Sequence, residues 1–346
     1  MLLNEVEEEG KIYWRGSCRG YDKSALKEMQ SFYAMDADIA GITTPTASTP
    51  IQFLQHWLPD VVEVVTAARE IDAIVGRTVA GRWEDEEIVQ RVLERTGQAR
   101  PYGDHADIPL SSWNINFETR DVVRFEEGIQ VGVLEELRAG AMNVSSQSEK
   151  RAAAAESLAI ELNNVGFFGY NASTNKTYGL LNDPNMPAYI SLPNGSNGTS
   201  EWTTKTFNEI VADIKAMMSA LRVRSGNNFK PERDASTLAL PVAVVDHLQT
   251  VNPLGGTSVL DWLHKTYPAC RVTSAVQLDG ANSTANVAYL FADEIDGKKV
   301  IAQYMQDALR LIGVEQHAKN FLEVYSNATA GVMLRIPVGL VRYTGC

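Results

Sequence analysis

Two long segments with a hydrophobic period of two residues constrain this fold more than any other feature of the sequence. In residues 86–95 apolar side chains fall on both faces of a strand, and in residues 112–125 they fall on one face. The segment between them, 96–109, is rich in turn formers and longer than the ~2 to 5 residues usual for a hairpin loop. The pattern predicts a long two-stranded ribbon with an extended tip.

Such a ribbon needs a partner, because an isolated two-stranded hairpin is at best marginally stable in water. Two partners fit: the body of the same chain, or another subunit. The N-terminal residues 1–58 also have little core of their own. Their sequence predicts one helix, capped by Asp22, and an extended linker at 41–50. This arm is either a flexible terminus or a segment that orders against a neighbouring subunit.

The remaining periodicity mixes helices and strands without a regular βαβ alternation. We expect one helix to end near Gly76, the ribbon to close at Gly128, and Thr203 or Thr204 to cap a helix that buries Met217 and Met218. Two further helical segments are predicted at 131–139 and 149–165. Strands are predicted at 238–240, 287–291, 299–303, 320–325 and 332–343, with the second and third joined around Asp296-Gly297. This order predicts an α+β fold.

Composition excludes several classes of protein. The chain has 31 basic and 43 acidic residues and a net charge of -12, so a dedicated nucleic-acid binder is not expected. Three distant cysteines predict neither a disulfide framework nor a zinc site, and they favour a reducing cytosol. No apolar run reaches the ~18 residues of a membrane helix. The acidic first ten residues do not resemble a secretory signal.

Motifs for catalysis or cofactor binding are missing from the sequence. It has no nucleophile elbow, phosphate-binding glycine loop, dinucleotide fingerprint or His-Glu-x-x-His motif. The five histidines are dispersed, the segment 293–297 lacks the full spacing of a calcium loop, and the acidic run 84–87 is typical of a solvated strand edge. We therefore expect no enzyme activity, no cofactor and no metal, although scattered catalytic groups leave no motif.

Three segments resemble a known family. They are Tyr102-Gly103-Asp104-His105-Ala106-Asp107-Ile108-Pro109-Leu110, Asn163-Asn164-Val165-Gly166-Phe167-Phe168-Gly169 and Tyr178-Gly179-Leu180-Leu181-Asn182-Asp183-Pro184-Asn185. Together with the order of elements, they resemble the major capsid proteins of tailed bacteriophages, which have the Hong Kong 97 fold. The resemblance covers most of the chain.

The resemblance implies a division of the chain. Residues 1–58 would be the N-terminal arm, 76–128 the extended loop, 129–235 the spine helix and peripheral domain, 236–314 the axial domain, and 315–346 the return strands of the peripheral domain. Function would then be assembly into hexamers and pentamers of an icosahedral head shell around double-stranded DNA, within the virion and without a membrane. Assembly would take place in the host cytoplasm, with scaffolding, portal and decoration proteins as further partners.

The same resemblance implies that the functional residues are interface residues rather than catalytic ones. On the loop these would be Arg100, Tyr102, Asp104, His105, Trp113, Ile115 and Phe117. Some relatives join a loop lysine to a neighbour's asparagine, but this chain has no lysine between Lys27 and Lys150. We therefore expect no such isopeptide bond through the loop, and we expect scaffolding to be a separate protein.

Three alternatives remain open at the level of the sequence. Encapsulin compartments, which enclose enzymes, are built on the same fold. An enzyme with a scattered active site would show a deep pocket with shifted carboxylates. A secreted surface protein would carry sugars at sequons such as Asn171-Ala172-Ser173.

Overall fold

A computed structural model describes three short strands between residues 5 and 22, and residues 69–102, 104, 107–141, 145–170 and 175–346. The chain divides into two compact units, Met1–Thr66 and Ala67–Cys346. In the first unit, strands β1 (Glu5–Glu8), β2 (Lys11–Trp14) and β3 (Tyr21–Asp22) form an antiparallel sheet. Asp22 thus belongs to a strand, and the arm helix predicted after it lies outside the described residues, as does the linker.

The second unit contains the remaining elements. Its strands are β4 (Arg77–Val79), β5 (Glu87–Thr96), β6 (Ser112–Asp121), β7 (Val123–Gly132), β8 (Ile190–Ser191), β9 (Ser236–Pro241), β10 (Cys270–Ala275), β11 (Val287–Ala292), β12 (Glu294–Ile295), β13 (Lys298–Lys299), β14 (Ile301–Gln316), β15 (Asn320–Leu334) and β16 (Leu340–Thr344). Its helices are α1 (Ile71–Val75), α2 (Val133–Ala141), α3 (Ser146–Phe168), α4 (Phe207–Arg224), α5 (Val242–Val245) and α6 (Val259–Thr266).

Strands β5 and β6 form the predicted long hairpin, pairing antiparallel from Glu87 opposite Asp121 to Thr96 opposite Ser112. The predicted second strand was too long. It ends at Asp121, and β7 pairs instead with β15 in a different sheet. Gly128 lies inside β7 and does not close the ribbon. The alternation that joins Trp113, Ile115 and Phe117 to Val123 and Phe125 is interrupted by Thr119 and Asp121, which is where β6 ends.

The long helix α3 packs on a four-stranded sheet of order β4-β14-β15-β7. Side-chain amides of the sheet bond to the helix backbone: Asn327 Nδ2 donates to Leu158 O at 2.8 Å, and Gln303 Nε2 donates to Leu162 O at 2.9 Å. Helix α3 begins after Ser145, whose hydroxyl accepts from the Ser148 N–H, and ends at Gly169 with a φ of 70°. The predicted helices were therefore displaced: α2 begins two residues later and α3 is longer at both ends.

A second sheet, of order β10-β9-β11-β16-β8, holds most of the apolar core together with α4. Met217 and Met218 are buried there, as predicted. The helix cap differs from the prediction. Thr206 and Glu209 form a capping box, because Trp202–Thr204 is a separate 3₁₀ turn.

The C-terminal strands differ most from the prediction. The turn at Asp296-Gly297 has the two positive φ angles of a tight hairpin, 53° and 71°, but it joins the short β12 and β13. Strand β11 instead pairs with β9 and β16. Strand β15 is continuous through residues 326–331, and β14 runs for 16 residues where only 299–303 was predicted. The proposed domain boundary at 314 therefore falls within β14.

Candidate functional site on the hairpin

The two faces of the hairpin differ in chemistry. Cross-strand pairing places Arg91 opposite Phe117, Leu93 opposite Ile115 and Arg95 opposite Trp113. Directly opposite residues share a face, so one side of the ribbon carries aromatic and aliphatic groups interleaved with two guanidinium groups. We call this side the outer face of the hairpin. Most of it is exposed: Trp113 is 59%, Phe117 58%, Leu93 52% and Ile115 39% exposed.

The opposite face is mostly polar and joins the body at its base. It presents Gln90 opposite Glu118 and Glu94 opposite Asn114. At the base of this face, Ile88 packs with Ala80 and Val122 against a small buried cluster of β14 and β15. The body therefore holds one end of one face, and within the described residues nothing covers the aromatic and arginine side.

The tip brings some of the predicted interface residues together. An open groove of about 960 Å³ is lined by Leu93, Arg95, Arg100, Ile108 and Trp113, among others. A smaller groove of about 390 Å³ is lined by Arg100, Tyr102 and Asp104. Tyr102 is 92% exposed. Ile115 and Phe117 lie on the same outer face but outside both grooves, and His105 lies outside the described residues.

A buried arginine anchors the hairpin base. Arg120 is 3% exposed; its Nη2 lies 3.1 Å from Asp183 Oδ2, and it also pairs with Glu118. Its guanidinium lies 5.0 Å from the ring centroid of Tyr178. Beside it, Asp121 Oδ2 accepts the Lys176 N–H at 2.6 Å, and the Thr177 hydroxyl donates to Asp121 O at 2.7 Å. Residues 176–185 thus fix the direction in which the ribbon leaves the body.

Two of the family-like segments meet at this anchor. Leu180 N donates to Gly166 O at 2.8 Å, and Asn182 Nδ2 donates to Phe168 O at 2.6 Å, so 178–185 packs on the end of α3. Gly179 lies so close to this turn that an added Cβ would be 2.5 Å from Phe167 C. Both segments were recognised from the sequence, but their contact and the role of Arg120 were not predicted. The sequence Asp183-Pro184-Asn185 did signal a turn at this place. In the structure Asp183 Oδ1 accepts the Asn185 N–H at 2.8 Å, as in an Asx turn.

A second charged contact holds the sheet to α3. Arg151 Nε donates to Glu323 Oε2 at 2.7 Å, and the Tyr325 hydroxyl donates to the same oxygen at 2.8 Å. The Glu323 side chain is 4% exposed. These bonds, chiefly the one from Arg151, lower the pKa of Glu323 from 4.5 to about 2. The arrangement stabilises packing and offers no group poised for proton transfer near neutral pH.

Among the described residues, no group of three or more His, Cys, Asp or Glu side chains could hold a metal ion. None of the described helices is long and apolar enough to cross a membrane.

The solved structures that share this fold include capsids. The capsid of Myoviridae phage XM1 is 16% identical, with a TM-score of 0.68 over 86% of this chain and 99% of that chain. The capsid of a native GTA particle is 9% identical, with a TM-score of 0.60 over 88% and 99%. A structure from Gordonia phage Cozz is 12% identical, with a TM-score of 0.55 over 89% and 95%. The fold is the α+β Hong Kong 97-like capsid fold.

The sequence itself defines the family. A family model described as Pa193 gp26 major capsid protein matches residues 40–345. No curated protein matches the sequence. The chain belongs to the Pa193 gp26 major capsid protein family, and it is a structural protein of the phage head shell. This membership confirms the predicted resemblance and favours a phage capsid over an encapsulin compartment.

Proposed function

We propose that copies of this chain form hexamers and pentamers of an icosahedral shell, and that the hairpin of each copy lies across its neighbour in the ring. The exposed aromatic and arginine face of β5 and β6 carries this proposal. Trp113 and Phe117 are each more than half exposed on an element anchored at its base alone. Aromatic residues and arginine are the types enriched at the centres of protein interfaces.

We assign the arm, residues 1–58, as the sequence predicted. We shorten the extended loop from 76–128 to 87–121, because β4 and β7 on either side of it pair with β14 and β15. The pairing of β7, β14 and β15 under α3 supports a peripheral domain that includes 301–334. The sheet that contains β9, β10, β11 and β16 supports an axial domain built from 236–300 and the last strand. Both assignments differ from the division predicted from the sequence, in which the axial domain ended at residue 314.

The shell encloses double-stranded DNA without gripping it. A net charge of -12 suits this role, because affinity for the phosphate backbone comes from lysine and arginine that displace its counterions. Assembly in the host cytoplasm, a separate scaffolding protein, a portal and decoration proteins complete the proposal. We assign no catalytic step to the chain.

The test of the hairpin's role compares its two faces. In W113S/F117S the aromatic face is lost, whereas in N114S/N116S two residues of the polar face change. Because the first pair is exposed, both variants should fold with similar unfolding transitions. Electron microscopy should show closed shells for N114S/N116S and none for W113S/F117S.

A second variant replaces the tip, 97–109, with a short Gly-Ser loop. Folded subunits that fail to form shells are expected, because the ribbon contributes between subunits rather than to the core. Normal shells from both the tip variant and W113S/F117S would show that the hairpin has no role in assembly.

A further inference from the structure

The apolar side of helix α2 faces away from the body of the chain. Leu134, Leu137 and Ala141 are spaced three and four residues apart, so they share one face of the helix. All three are exposed, Leu134 to 59% and Leu137 to 68%. In contrast, Glu136 and Ala139 on the other side of the helix are partly buried. We call Leu134, Leu137 and Ala141 the apolar face of α2.

This face needs a cover, because α2 has only nine residues and none of them is buried. Isolated helices shorter than ~12 to 15 residues are marginal in water, and helices in proteins are stabilised mainly by packing of an apolar face. Helix α2 is held instead at its polar side, where Glu136 accepts the Ser145 hydroxyl and the Gln147 N–H, each at 3.1 Å. The exposed leucines therefore indicate a surface that is covered in the assembled state.

Basic side chains border the apolar face of α2. Arg138 lies in the last turn of the helix, and Lys319 lies beside the first turn, where its carbonyl accepts the Val133 N–H at 3.1 Å. Both residues are exposed, and neither forms an ion pair with a described residue. The carboxylate of Glu135 in the first turn is already bound, 2.7 Å from Lys150 Nζ. A partner that suits this face combines apolar groups with unpaired carboxylates.

The tip of the hairpin offers this combination. Tyr102, Ile108 and Leu110 are 92%, 84% and 89% exposed. Asp104 and Asp107 lie between them in the chain, are exposed, and form no ion pair with a described residue. All of these residues except Leu110 line one groove. The tip therefore presents apolar groups and carboxylates together.

The charge and the reach of the tip also fit a second copy. The same groove contains one guanidinium group, that of Arg100, so its carboxylates outnumber its guanidinium groups. Ten paired residues in each strand, at about 3.3 Å per residue, place the tip about 30 Å beyond the base of the hairpin. A tip at this distance from its own body can reach another subunit.

We propose that the tip of the hairpin, residues 102–110, binds the apolar face of α2 in a second copy. The apolar side chains of the tip cover those of α2, and the two carboxylates of the tip face Arg138. The two surfaces differ, so the contact is heterologous, and every copy provides one tip and receives another. This contact rests on the proposed function, in which the hairpin lies across a neighbour, and it identifies what the tip binds there.

Charge reversal tests the polar part of this contact. R138E and D104R/D107R should each lower the yield of closed shells about tenfold or more, because like charges then meet. The combined variant R138E/D104R/D107R should recover most of the yield, which a purely local role of either element cannot explain. The matched control is R224E, which reverses an exposed arginine in the last turn of α4 and should assemble normally. All of these residues are exposed, so the unassembled variants should keep their unfolding transitions.

Cross-linking of two distinguishable chains detects the contact directly. Tagged L137C chains are assembled with untagged I108C chains and treated with a short bismaleimide, which links thiols that lie close together. We expect a dimer of one tagged and one untagged chain, with residues 137 and 108 linked in its mass spectrum. Tagged L137C assembled with unchanged chains, and I108C assembled with unchanged chains, should not give this link.

Shells that contain both cysteine variants but no link between residues 137 and 108 would overturn the proposed contact. So would normal assembly of R138E and D104R/D107R. A link from residue 137 to Cys18 in place of residue 108 would also overturn it, because the N-terminal arm would then cover α2. Normal shells from both W113S/F117S and the variant without the tip would instead contradict the proposed function, since the hairpin would then have no role in assembly.

Discussion

The buried pair of Arg120 and Asp183 shows how two residues far apart in the chain fix the base of the hairpin. Both side chains are almost fully buried, and both lie where the hairpin leaves the body. A buried charge is tolerated when its partner is present, and breaking such a pair leaves the remaining charge uncompensated. The pair therefore controls the stability of the hairpin base and the direction of the exposed ribbon.

We predict that R120M lowers the free energy of unfolding by about 3 to 5 kcal/mol, because Asp183 then remains buried without its counterion. R95M, on the outer face of the hairpin, should change it by less than about 0.5 kcal/mol. Urea unfolding of unassembled subunits measures both. R120M/D183N should cost less than the sum of its single variants, and strict additivity would show that the two residues do not interact.

Glu323 gives a prediction for acid conditions. Its pKa in the folded chain, about 2, lies below the ordinary value of 4.5 because Arg151 stabilises the carboxylate. Its stabilising contribution is therefore present above pH 4.5 and is lost as the pH falls toward 2. E323Q should be less stable than the unchanged chain at pH 7, and the difference should shrink through this window.

The control for Glu323 is E126Q, which changes an exposed glutamate of the neighbouring strand β7. The difference in stability between E126Q and the unchanged chain should be small at every pH. Denaturant midpoints measured between pH 2 and 7 test the pair of variants. A stability difference for E323Q that stays constant across this range would contradict the Arg151 contact.

At the scale of elements, the end of α3 and the segment 178–185 form one structural joint. Tyr178 O accepts the Val332 N–H of β15 at 2.8 Å, so the joint links helix, hairpin base and sheet. Its tight packing requires glycine at position 179, where a side chain would collide with backbone atoms of α3. Backbone cannot move aside as a flexible side chain can.

We predict that G179A destabilises the chain by about 1 to 3 kcal/mol through overpacking. G140A is the matched control, because nothing lies within 4 Å of an added Cβ at that helical position. It should leave stability unchanged or raise it by up to about 1 kcal/mol. Thermal unfolding of the two variants measures the difference. Equal melting temperatures would contradict the close approach of the two elements.

Sequence patterns predicted the elements whose partners are close in the chain. The hairpin of β5 and β6 is one, and its alternation is regular because its ladder has no irregularity. Most of β14 was missed, and β15 was predicted as separate strands, 320–325 and the start of 332–343, with a break between them. Their ladder shifts register at four places, including Tyr304/Met305 and Leu311/Gly313, and each shift interrupts the two-residue period. The apolar face of the hairpin, with Trp113, Ile115 and Phe117, was predicted. The Arg120 anchor was not, because it depends on a contact between residues 63 positions apart.

At the scale of the whole molecule, the compact body and the exposed surfaces have different roles. The core of α4 and the five-stranded sheet is closed within one chain. The outer face of the hairpin and the apolar face of α2 remain exposed, on different elements. This distribution of apolar surface is expected of a subunit that completes its burial by assembly.

The most direct test of this account is electron cryomicroscopy of particles assembled from the full chain, after light scattering has identified the megadalton fraction. We predict icosahedral shells of hexamers and pentamers, in which Trp113 and Phe117 of each copy are covered by an adjacent subunit of the same ring. A chain that stays monomeric even with the scaffolding protein of its phage would contradict the account. So would shells in which the hairpin face remains exposed to solvent.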